Sequence, residues 1–454
     1  MPARLIESLA TTEPLAELFS DQSVLQAMLD FEVALARAEA RVGVVPQAAA
    51  EHIAAVARAG DFDMTALACA MFRAATAAIP VVTALTEKVR ARNPEAARYV
   101  HWGATSQDVA DTALMLLLKR AQPLLDGDLS RLEAALARLS EQHKNTVMLG
   151  RTLMQAAPPV TFGLKAAGWL AATRRCHAGM DGAFAVALLV QLGGATGTLA
   201  SLGEKGVTVA QELAKELGLA CPEAPWHTHR DRLATLVCSC GVLTGELGKM
   251  ARDVSLLMQN EVAEAAEPGG NGRGGSSTMP HKRNPAGSTL TLAAAQRVPG
   301  LVATYLSSMV QEHERAVGGW QAEWPVVAAV IQSTGLAADS MAEIAEGLTV
   351  DVERMRANIE ATKGVIFAER AMILLGSKLG RDVAHKVLEE ATKNSVAQGR
   401  HLAEVLAEMP EITAHIDRDA LQQLEMPEQY LGSAELFRRA LLTSARGKNR
   451  HQEP

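Results

Sequence analysis

The feature that most constrains this chain is a stretch of 36 residues, 231–266, that contains no proline. A continuous helix over that stretch would extend roughly 54 Å at about 1.5 Å per residue. Apolar residues at helical spacing and sparse turn residues predict further helices. These segments are residues 21–40, 108–144 with a kink at Pro123, 161–192, and 285–348 with breaks near Pro299, Gly318 and Pro325.

The composition favours a soluble all-α protein. Alternating β-branched runs are almost absent, and aromatic residues make up only 4% of the 454 residues. Hydrophobic residues at 48% and charged residues at 21% are ordinary for a globular chain and exclude disorder over most of it. The net charge of −7 argues against a nucleic-acid-binding protein, because such proteins usually carry a basic surface.

The sequence also predicts where the protein resides. Five scattered cysteines fit a reducing cytosol better than a disulfide framework. Residues 1–7 hold no apolar segment of signal-peptide length, and nowhere do 18 uncharged apolar residues run together. We therefore expect a cytoplasmic protein with neither a membrane nor a nucleic acid as a partner.

The helical segments suggest three parts. These are an N-terminal helical domain over residues 1–110, a central long-helix bundle over residues 111–350, and a C-terminal helical domain over residues 351–454. Long helices with broad apolar faces need cover that a single chain supplies poorly. We therefore expect an oligomer in which the bundle is shared between subunits.

Glycine, proline and polar residues are concentrated in three segments, 101–108, 150–161 and 268–285. Loops on a rigid scaffold often carry chemistry, so these segments are the candidate functional regions. In the third, a glycine run precedes two hydroxyls and then His281, Lys282 and Arg283, and Asn284 with Pro285 is predicted to cap and begin a helix. Such a loop suits anion binding, and the alternative is a solvated basic loop before a helix.

Residues 275–285, Gly-Ser-Ser-Thr-Met-Pro-His-Lys-Arg-Asn-Pro, resemble the hallmark segment of the fumarase/aspartase superfamily. The other two segments also match, through residues 101–108 and through residues 150–152 with Gln155. The resemblance runs in order over most of the chain. It implies an all-α fold with a tetrameric helical core, active sites shared between subunits, and no metal or organic cofactor.

Within the superfamily, residues 98–108, 226–232 and 311–324 are most similar to the bacterial 3-carboxy-cis,cis-muconate cycloisomerase branch. This resemblance implies a small tricarboxylate substrate. The implied reaction forms 4-carboxymuconolactone in the protocatechuate branch of aromatic degradation. The alternatives are another lyase of the superfamily, which would eliminate an amine, nitrite or a nucleotide-borne group from a succinyl substrate, and a catalytically silent structural homologue.

The resemblance also implies roles for individual residues. Ser276 would exchange the carbon-bound proton through an aci-carboxylate intermediate, while Lys282 and Asn284 would stabilise its negative charge. The positions that match substrate binding are His101, Thr105, Ser106, Thr152, Gln155, Ser277 and Met279.

Residue 153 departs from the superfamily pattern. Fumarase-type members place a histidine there as a second acid/base group, and the muconate branch usually has tryptophan, whereas this chain has Leu153. Leucine cannot move a proton, which weakens the fumarase and argininosuccinate interpretations. Lactonisation tolerates it, because the attacking substrate carboxylate is ionised at neutral pH and needs no general base.

Several motifs have a structural interpretation beside the functional one. Thr105 to Asp108 and Thr152 to Gln155 both have the form of a helix capping box, although Pro158 favours substrate contact for the second. Residues 193–198 are glycine-rich but lack the lysine of a phosphate loop, so they are interpreted as a turn between long helices. Contact of this turn with the active site and a purely structural role are both open alternatives.

Five residues of the types that bind zinc lie close together in the sequence, but their spacing differs from that of known zinc sites: Cys221, His227, His229, Cys238 and Cys240. A metal is therefore not predicted, and His227 or His229 is a candidate substrate neighbour. Glu314 and Arg315 are interpreted as an intersubunit ion pair in preference to a part of the site.

Overall fold

A computed structural model of the chain describes residues 5–270 and 272–443 and confirms the all-α class. Its α-helices are, in chain order, α1 (Glu13–Leu18), α2 (Asp21–Arg41), α3 (Gln47–Ala54), α4 (Met64–Ala74), α5 (Ala78–Arg92), α6 (Ser106–Gln142), α7 (Phe162–Ala187), α8 (Gly206–Leu217), α9 (Asp231–Leu257), α10 (Ala286–Ser308), α11 (Gly319–Gly347), α12 (Val352–Glu360), α13 (Ala368–Leu379), α14 (Arg381–Gln398), α15 (Leu402–Leu406), α16 (Pro410–Thr413), α17 (Arg418–Gln423) and α18 (Ala434–Thr443). The strands are β1 (Val147–Thr152), β2 (Gln155–Thr161), β3 (Ala265–Ala266) and β4 (Thr349–Val350). None of the described helices combines the length and the apolar composition that a bilayer span requires.

Helix α2 shows how local sequence sets an element. The Ser20 side chain accepts a hydrogen bond from the Ser23 amide at 3.3 Å, which caps the first turn. The helix ends at Arg41, and Gly43 follows in the left-handed region at φ 71°. Its apolar face packs against α3 and α8 in the core.

The long helix predicted over residues 231–266 is shorter than expected, since α9 ends at Leu257. Beyond it, the buried carboxylate of Glu264 accepts two hydrogen bonds from Arg151, at 2.7 and 2.9 Å, and one from Asn358 at 2.7 Å. The chain turns between Leu257 and Glu264, and these long-range contacts hold Glu264 directly before β3, which pairs with β4.

Two predicted breaks are also absent. Pro299 lies inside α10 and Pro325 inside α11, whereas the third predicted break, near Gly318, is present, because residues 309–318 connect the two helices. In that connection His313 and Gly318 have positive φ values of 49° and 92°.

A β-hairpin stands where the sequence predicted no strand. Strands β1 and β2 are antiparallel, with Thr152 opposite Gln155, and only Leu153 and Met154 form the turn. Both turn residues have positive φ, at 50° and 65°. Two-residue hairpin turns usually carry Asn-Gly or a similar pair, so the ordinary sequence signal is missing here.

The chain divides into two compact units. The first unit comprises Met1–Ser130, Cys176–Gly248 and Leu290–Ser340. The second unit comprises Arg131–Arg175, Lys249–Thr289 and Met341–Pro454. The three domains predicted from the sequence stay a prediction.

A buried ionic cluster lies in the first unit. The Arg230 guanidinium donates to Asp111 at 2.8 and 3.0 Å and to Glu323 at 2.6 to 3.1 Å, and all three side chains are fully buried. The guanidinium also lies 4.6 Å from the ring centre of Trp226, which covers it. One cation therefore compensates two buried carboxylates.

We expect Arg230→Met to lower the free energy of unfolding by about 3–5 kcal/mol, because it leaves two buried carboxylates unpaired. Guanidinium unfolding followed by circular dichroism measures the change. Arg232→Met is the matched control, since Arg232 pairs with Glu223, whose side chain is 87% exposed. That exposed pair should contribute no more than about 1 kcal/mol. Equal losses in both variants would contradict the assignment.

Candidate active site

The predicted site residues are distributed over both units. His101, Thr105 and Ser106 belong to the first unit, and Thr152, Gln155 and the loop of residues 267–285 belong to the second.

Asp108 organises the candidate site in the first unit. Its fully buried carboxylate accepts hydrogen bonds from the backbone amides of Thr105, Gly193 and Gly194, each at 3.0 Å. The His227 ring lies 2.7 Å from the same carboxylate through Nε2. The carboxylate-to-backbone half of the predicted capping box is therefore present, and the same residue also binds the glycine-rich turn.

The glycine-rich turn of residues 193–198 is held against this helix start from a second side. Arg315 donates to the carbonyl of Gly194 at 3.0 Å and to that of Ala195 at 3.2 Å. Arg315 thus supports the turn within its own chain, a role that the sequence did not reveal. His227 is a buried partner of Asp108, whereas His229 is exposed.

His101 precedes this helix start and has an unusual backbone, with φ at 58°. Its Nδ1 lies 2.7 Å from the Glu32 carboxylate, which belongs to α2 and is almost fully buried. Burial of the imidazole acts to lower its pKa, but the charge and hydrogen bond of Glu32 and the charge of Asp108 outweigh it. The pKa of His101 is therefore raised above its ordinary value.

In the second unit, the loop of residues 267–285 is closed at its base. The Asn284 amide donates to the carbonyl of Gly274 at 2.8 Å, and the Asn284 side chain donates to the carbonyl of Gly275 at 3.3 Å. Gly274 has φ at 65°, and a Cβ there would lie 2.4 Å from the Asn284 carbonyl oxygen. Only glycine fits this position without displacing the backbone.

The cap of helix α10 differs from the predicted one. The buried Glu267 carboxylate accepts from the backbone amides of Gly287 and Ser288 at 2.9 Å, and from the Ser288 hydroxyl at 2.6 Å. Asn284 binds within the loop instead, so the prediction that it caps this helix is wrong. A carboxylate also suits the positive end of the helix dipole.

Ser276 lies in a tight turn of this loop. Its Oγ accepts hydrogen bonds from the backbone amides of Met279 at 3.0 Å and Thr278 at 3.3 Å. Hydrogen bonds to the charged form of a group favour that form. Two amide donors on one hydroxyl oxygen would therefore stabilise the alkoxide that remains after the hydroxyl gives up its proton.

The basic part of the loop faces a cavity of about 840 Å³ within the second unit. Its polar walls combine cations from the loop with acids from the segment after β4, and they include His281, Lys282, Arg283, Asp351 and Glu353. Met279 and β3 supply apolar surface. Ser276, Ser277, Met279, Lys282 and Asn284 thus lie on one loop, as the sequence predicted, and its cationic side lines a cavity.

Thr152 and Gln155 face each other across the hairpin turn. Because they lie in strands, the helix-capping interpretation of this motif is wrong. Leu153 and Met154 extend from the turn with 96% and 73% of their surfaces exposed. Left-handed backbone at a non-glycine residue costs on the order of 1–3 kcal/mol, so this turn is strained as well as apolar.

The cysteine and histidine set does not form a metal site among the residues that the structure describes. Cys240 is buried in α9, Cys221 is exposed and His227 binds Asp108. Among the described residues, a different group of possible metal ligands comes together: Asp126, His177 and Asp181, whose ligand atoms lie within 4.8 Å of one another.

The important residues that sequence reasoning missed are Glu32 and Glu267. Their partners are 69 and about 20 positions away along the chain. The available signal was a charged residue on an apolar helix face, since Glu32 interrupts the buried side of α2.

Comparison with known proteins gives consistent matches. A family model described as "Lyase" matches residues 7–300, and one described as "Adenylosuccinate lyase C-terminus" matches residues 364–440. The 3-carboxy-cis,cis-muconate cycloisomerase of Bradyrhizobium diazoefficiens is 50% identical over 424 residues, which are 93% of this chain and 94% of that protein. Nitrosuccinate lyase of Streptomyces davaonensis is 44% identical over 438 residues, which are 95% of this chain and 92% of that protein.

Among solved structures, the 3-carboxy-cis,cis-muconate lactonizing enzyme of Pseudomonas putida matches with a TM-score of 0.92 at 43% identity. The match covers 98% of this chain and 99% of that chain. The similarity therefore extends over the helices, the hairpin and the loop together.

We expect Gly274→Ala to open the base of the loop, because the new Cβ would strain the backbone and collide with the Asn284 carbonyl. Strain of this kind corresponds to a roughly tenfold or greater increase in open loop. The rate of trypsin cleavage after Lys282 and Arg283 measures the opening. Gly275→Ala is the control, since its nearest neighbour atom would be 3.9 Å away. Unchanged cleavage in Gly274→Ala would contradict the clamp.

Proposed function

The chain belongs to the lyase family whose model matches residues 7–300, and we propose that it converts 3-carboxy-cis,cis-muconate to 4-carboxymuconolactone. The membership bears out the resemblance to the fumarase/aspartase superfamily and to its cycloisomerase branch. The fold matches that of solved structures of the branch.

One observation carries the choice of reaction: the candidate site holds a serine prepared to give up a proton, but no second proton carrier at residue 153. The Ser276 oxygen faces two amide donors, and the hairpin turn offers only Leu153 and Met154. Hydration or elimination of a poor leaving group requires a second acid/base group. Lactonisation needs only one proton delivered to carbon.

The proposed mechanism begins with the substrate itself. One carboxylate oxygen forms a bond to a carbon of the conjugated diene, and the displaced electron pair moves to the acceptor carboxylate, which becomes the aci-carboxylate. Lys282 and the second N–H of the Asn284 amide stabilise this charge. Ser276 then donates its proton to carbon, and the alkoxide, held by the amides of Thr278 and Met279, regains a proton from water. No metal or organic cofactor is needed.

Substrate binding is assigned to residues that present polar groups at the ends of elements. A tricarboxylate requires several donors, and charge-assisted hydrogen bonds to carboxylates are the strong ones. The proposed binding residues are His101, Thr105, Ser106, Thr152, Gln155, Ser277 and Met279, the last by apolar contact.

We further propose a cytoplasmic homotetramer whose active sites are shared between subunits. Large exposed apolar side chains support this assembly: Phe72, Val310 and Val317 are 90%, 86% and 87% exposed. The strained turn at Leu153 and Met154 is a second indication, because an exposed apolar turn gains stability from a partner that covers it.

Ser276→Ala should lower the rate of diene loss, followed by ultraviolet absorbance with 3-carboxy-cis,cis-muconate, by about 10²–10⁴-fold, since it removes the proton donor. Ser255→Ala is the control, because the one hydrogen bond of the Ser255 hydroxyl among the described residues is the bond that it donates to the Arg252 carbonyl within α9. Activity of Ser276→Ala near wild type would overturn the role of Ser276. Nitrosuccinate, argininosuccinate, adenylosuccinate and fumarate are run alongside, and faster turnover of any of these would overturn the substrate.

If sites are shared, mixing inactive Ser276→Ala subunits with His101→Gln subunits under exchange conditions should restore diene loss. Some mixed sites would then combine an intact loop from one chain with an intact His101 from another. The control mixture pairs Ser276→Ala with Lys282→Met, because both changes lie in one loop and no site can regain both residues. Failure of the first mixture to exceed the second would refute the shared site.

A further inference from the structure

Helix α2 carries a carboxylate where an apolar side chain would be expected. Glu32 is 1% exposed, and one of its oxygens lies 2.7 Å from His101 Nδ1. Its other oxygen has no hydrogen-bond partner among the described residues. A buried carboxylate with a single partner depends on that partner for compensation of its charge.

We propose that Glu32 is a positioning residue that keeps His101 protonated and directs its second ring nitrogen to a carboxylate of the substrate. This inference rests on the proposed function, because it assigns His101 an anionic ligand. It adds a residue distant in sequence to the machinery that binds the substrate.

The geometry leaves one donor of His101 available. Nδ1 is occupied by Glu32, while Nε2 has no hydrogen-bond partner among the residues that the structure describes. The imidazole is 18% exposed, so it is accessible without being fully solvated. His101 lies four positions before Thr105 and five before Ser106, at the start of α6. A protonated ring held in this way can donate through Nε2 to an anion.

Two acidic groups act on this histidine from the elements around it. Glu32 on α2 and Asp108 on α6 both raise the pKa of His101 against the effect of burial. A further buried acid on the same helix, Glu39, lies about two turns beyond Glu32, and neither of its oxygens has a hydrogen-bond partner among the described residues. Burial and the charge of Glu32 raise the pKa of Glu39 to about 9, so it is neutral there.

The sign of the pH dependence follows. A cationic His101 binds an anion, and the raised pKa extends the cationic state above the ordinary value of about 6.5. Ligand affinity should therefore be full at low pH and fall as pH rises through the pKa of His101. Without the charge of Glu32, the fall should begin about one pH unit lower or more, the usual effect of a nearby opposite charge.

The first test measures the titration of His101 in the free protein by NMR, using histidine labelled with ¹³C in the ring. His101→Gln identifies the resonance by its loss. In Glu32→Gln the midpoint should fall by about one pH unit or more. Glu39→Gln is the matched control: it replaces one neutral buried group with another on the same helix, and the midpoint should not move. An unchanged midpoint in Glu32→Gln overturns the proposal.

The second test measures the dissociation constant of tricarballylate, a saturated tricarboxylate that cannot lactonise, by calorimetry from pH 5.5 to 9. Glu32→Gln should bind within about twofold of wild type at pH 5.5 and about tenfold more weakly at pH 7.5. A uniform loss at every pH would indicate a merely structural role and overturn the proposal. Wild-type affinity that stays flat across the range would also overturn it, without reference to any variant.

The two proposals fail in distinguishable ways. If wild type does not consume 3-carboxy-cis,cis-muconate, the proposed function fails, while the NMR titration still decides whether Glu32 sets the charge of His101. If turnover is normal but the midpoint of the His101 titration does not change in Glu32→Gln, only the positioning role of Glu32 fails.

Discussion

The candidate site in the first unit depends on the hydrogen bonds that the Asp108 carboxylate accepts. The carboxylate accepts from three backbone amides and contacts His227, so it fixes the start of α6 and the glycine-rich turn at once. A neutral side chain would hold the turn less strongly, because hydrogen bonds to a charged acceptor are roughly twice as strong as neutral ones. The position of Thr105 and Ser106 follows from this one buried charge.

The second unit uses the same device twice. Glu267, directly after β3, binds the start of α10, and Glu264, directly before β3, binds Arg151 and Asn358. Both carboxylates are buried, and both accept several donors. Buried acids therefore fix the backbone around the loop, which leaves the exposed cations of the loop available for an anionic ligand.

The sequence predicted what depends on local pattern. Helices α2, α6 and α7 follow their apolar spacing closely, and the loop with Ser276 is recognisable from its residues alone. The early end of α9 was not predictable, because it is set by the distant contact between Glu264 and Arg151. The hairpin was missed since its turn uses left-handed leucine and methionine where glycine or asparagine gives the signal.

The closure of the loop base has a consequence for how such a chain can diversify. Glu267 secures one end of the loop at α10, and the contact between Gly274 and Asn284 joins its two limbs. The contacts that anchor the two ends of the loop therefore do not involve the side chains of residues 275–283. Because residues 275–285 resemble a segment that the whole superfamily shares, this loop is a constant module, and the differences in chemistry between members of the family are expected to come from segments outside it, such as the hairpin turn at Leu153 and Met154.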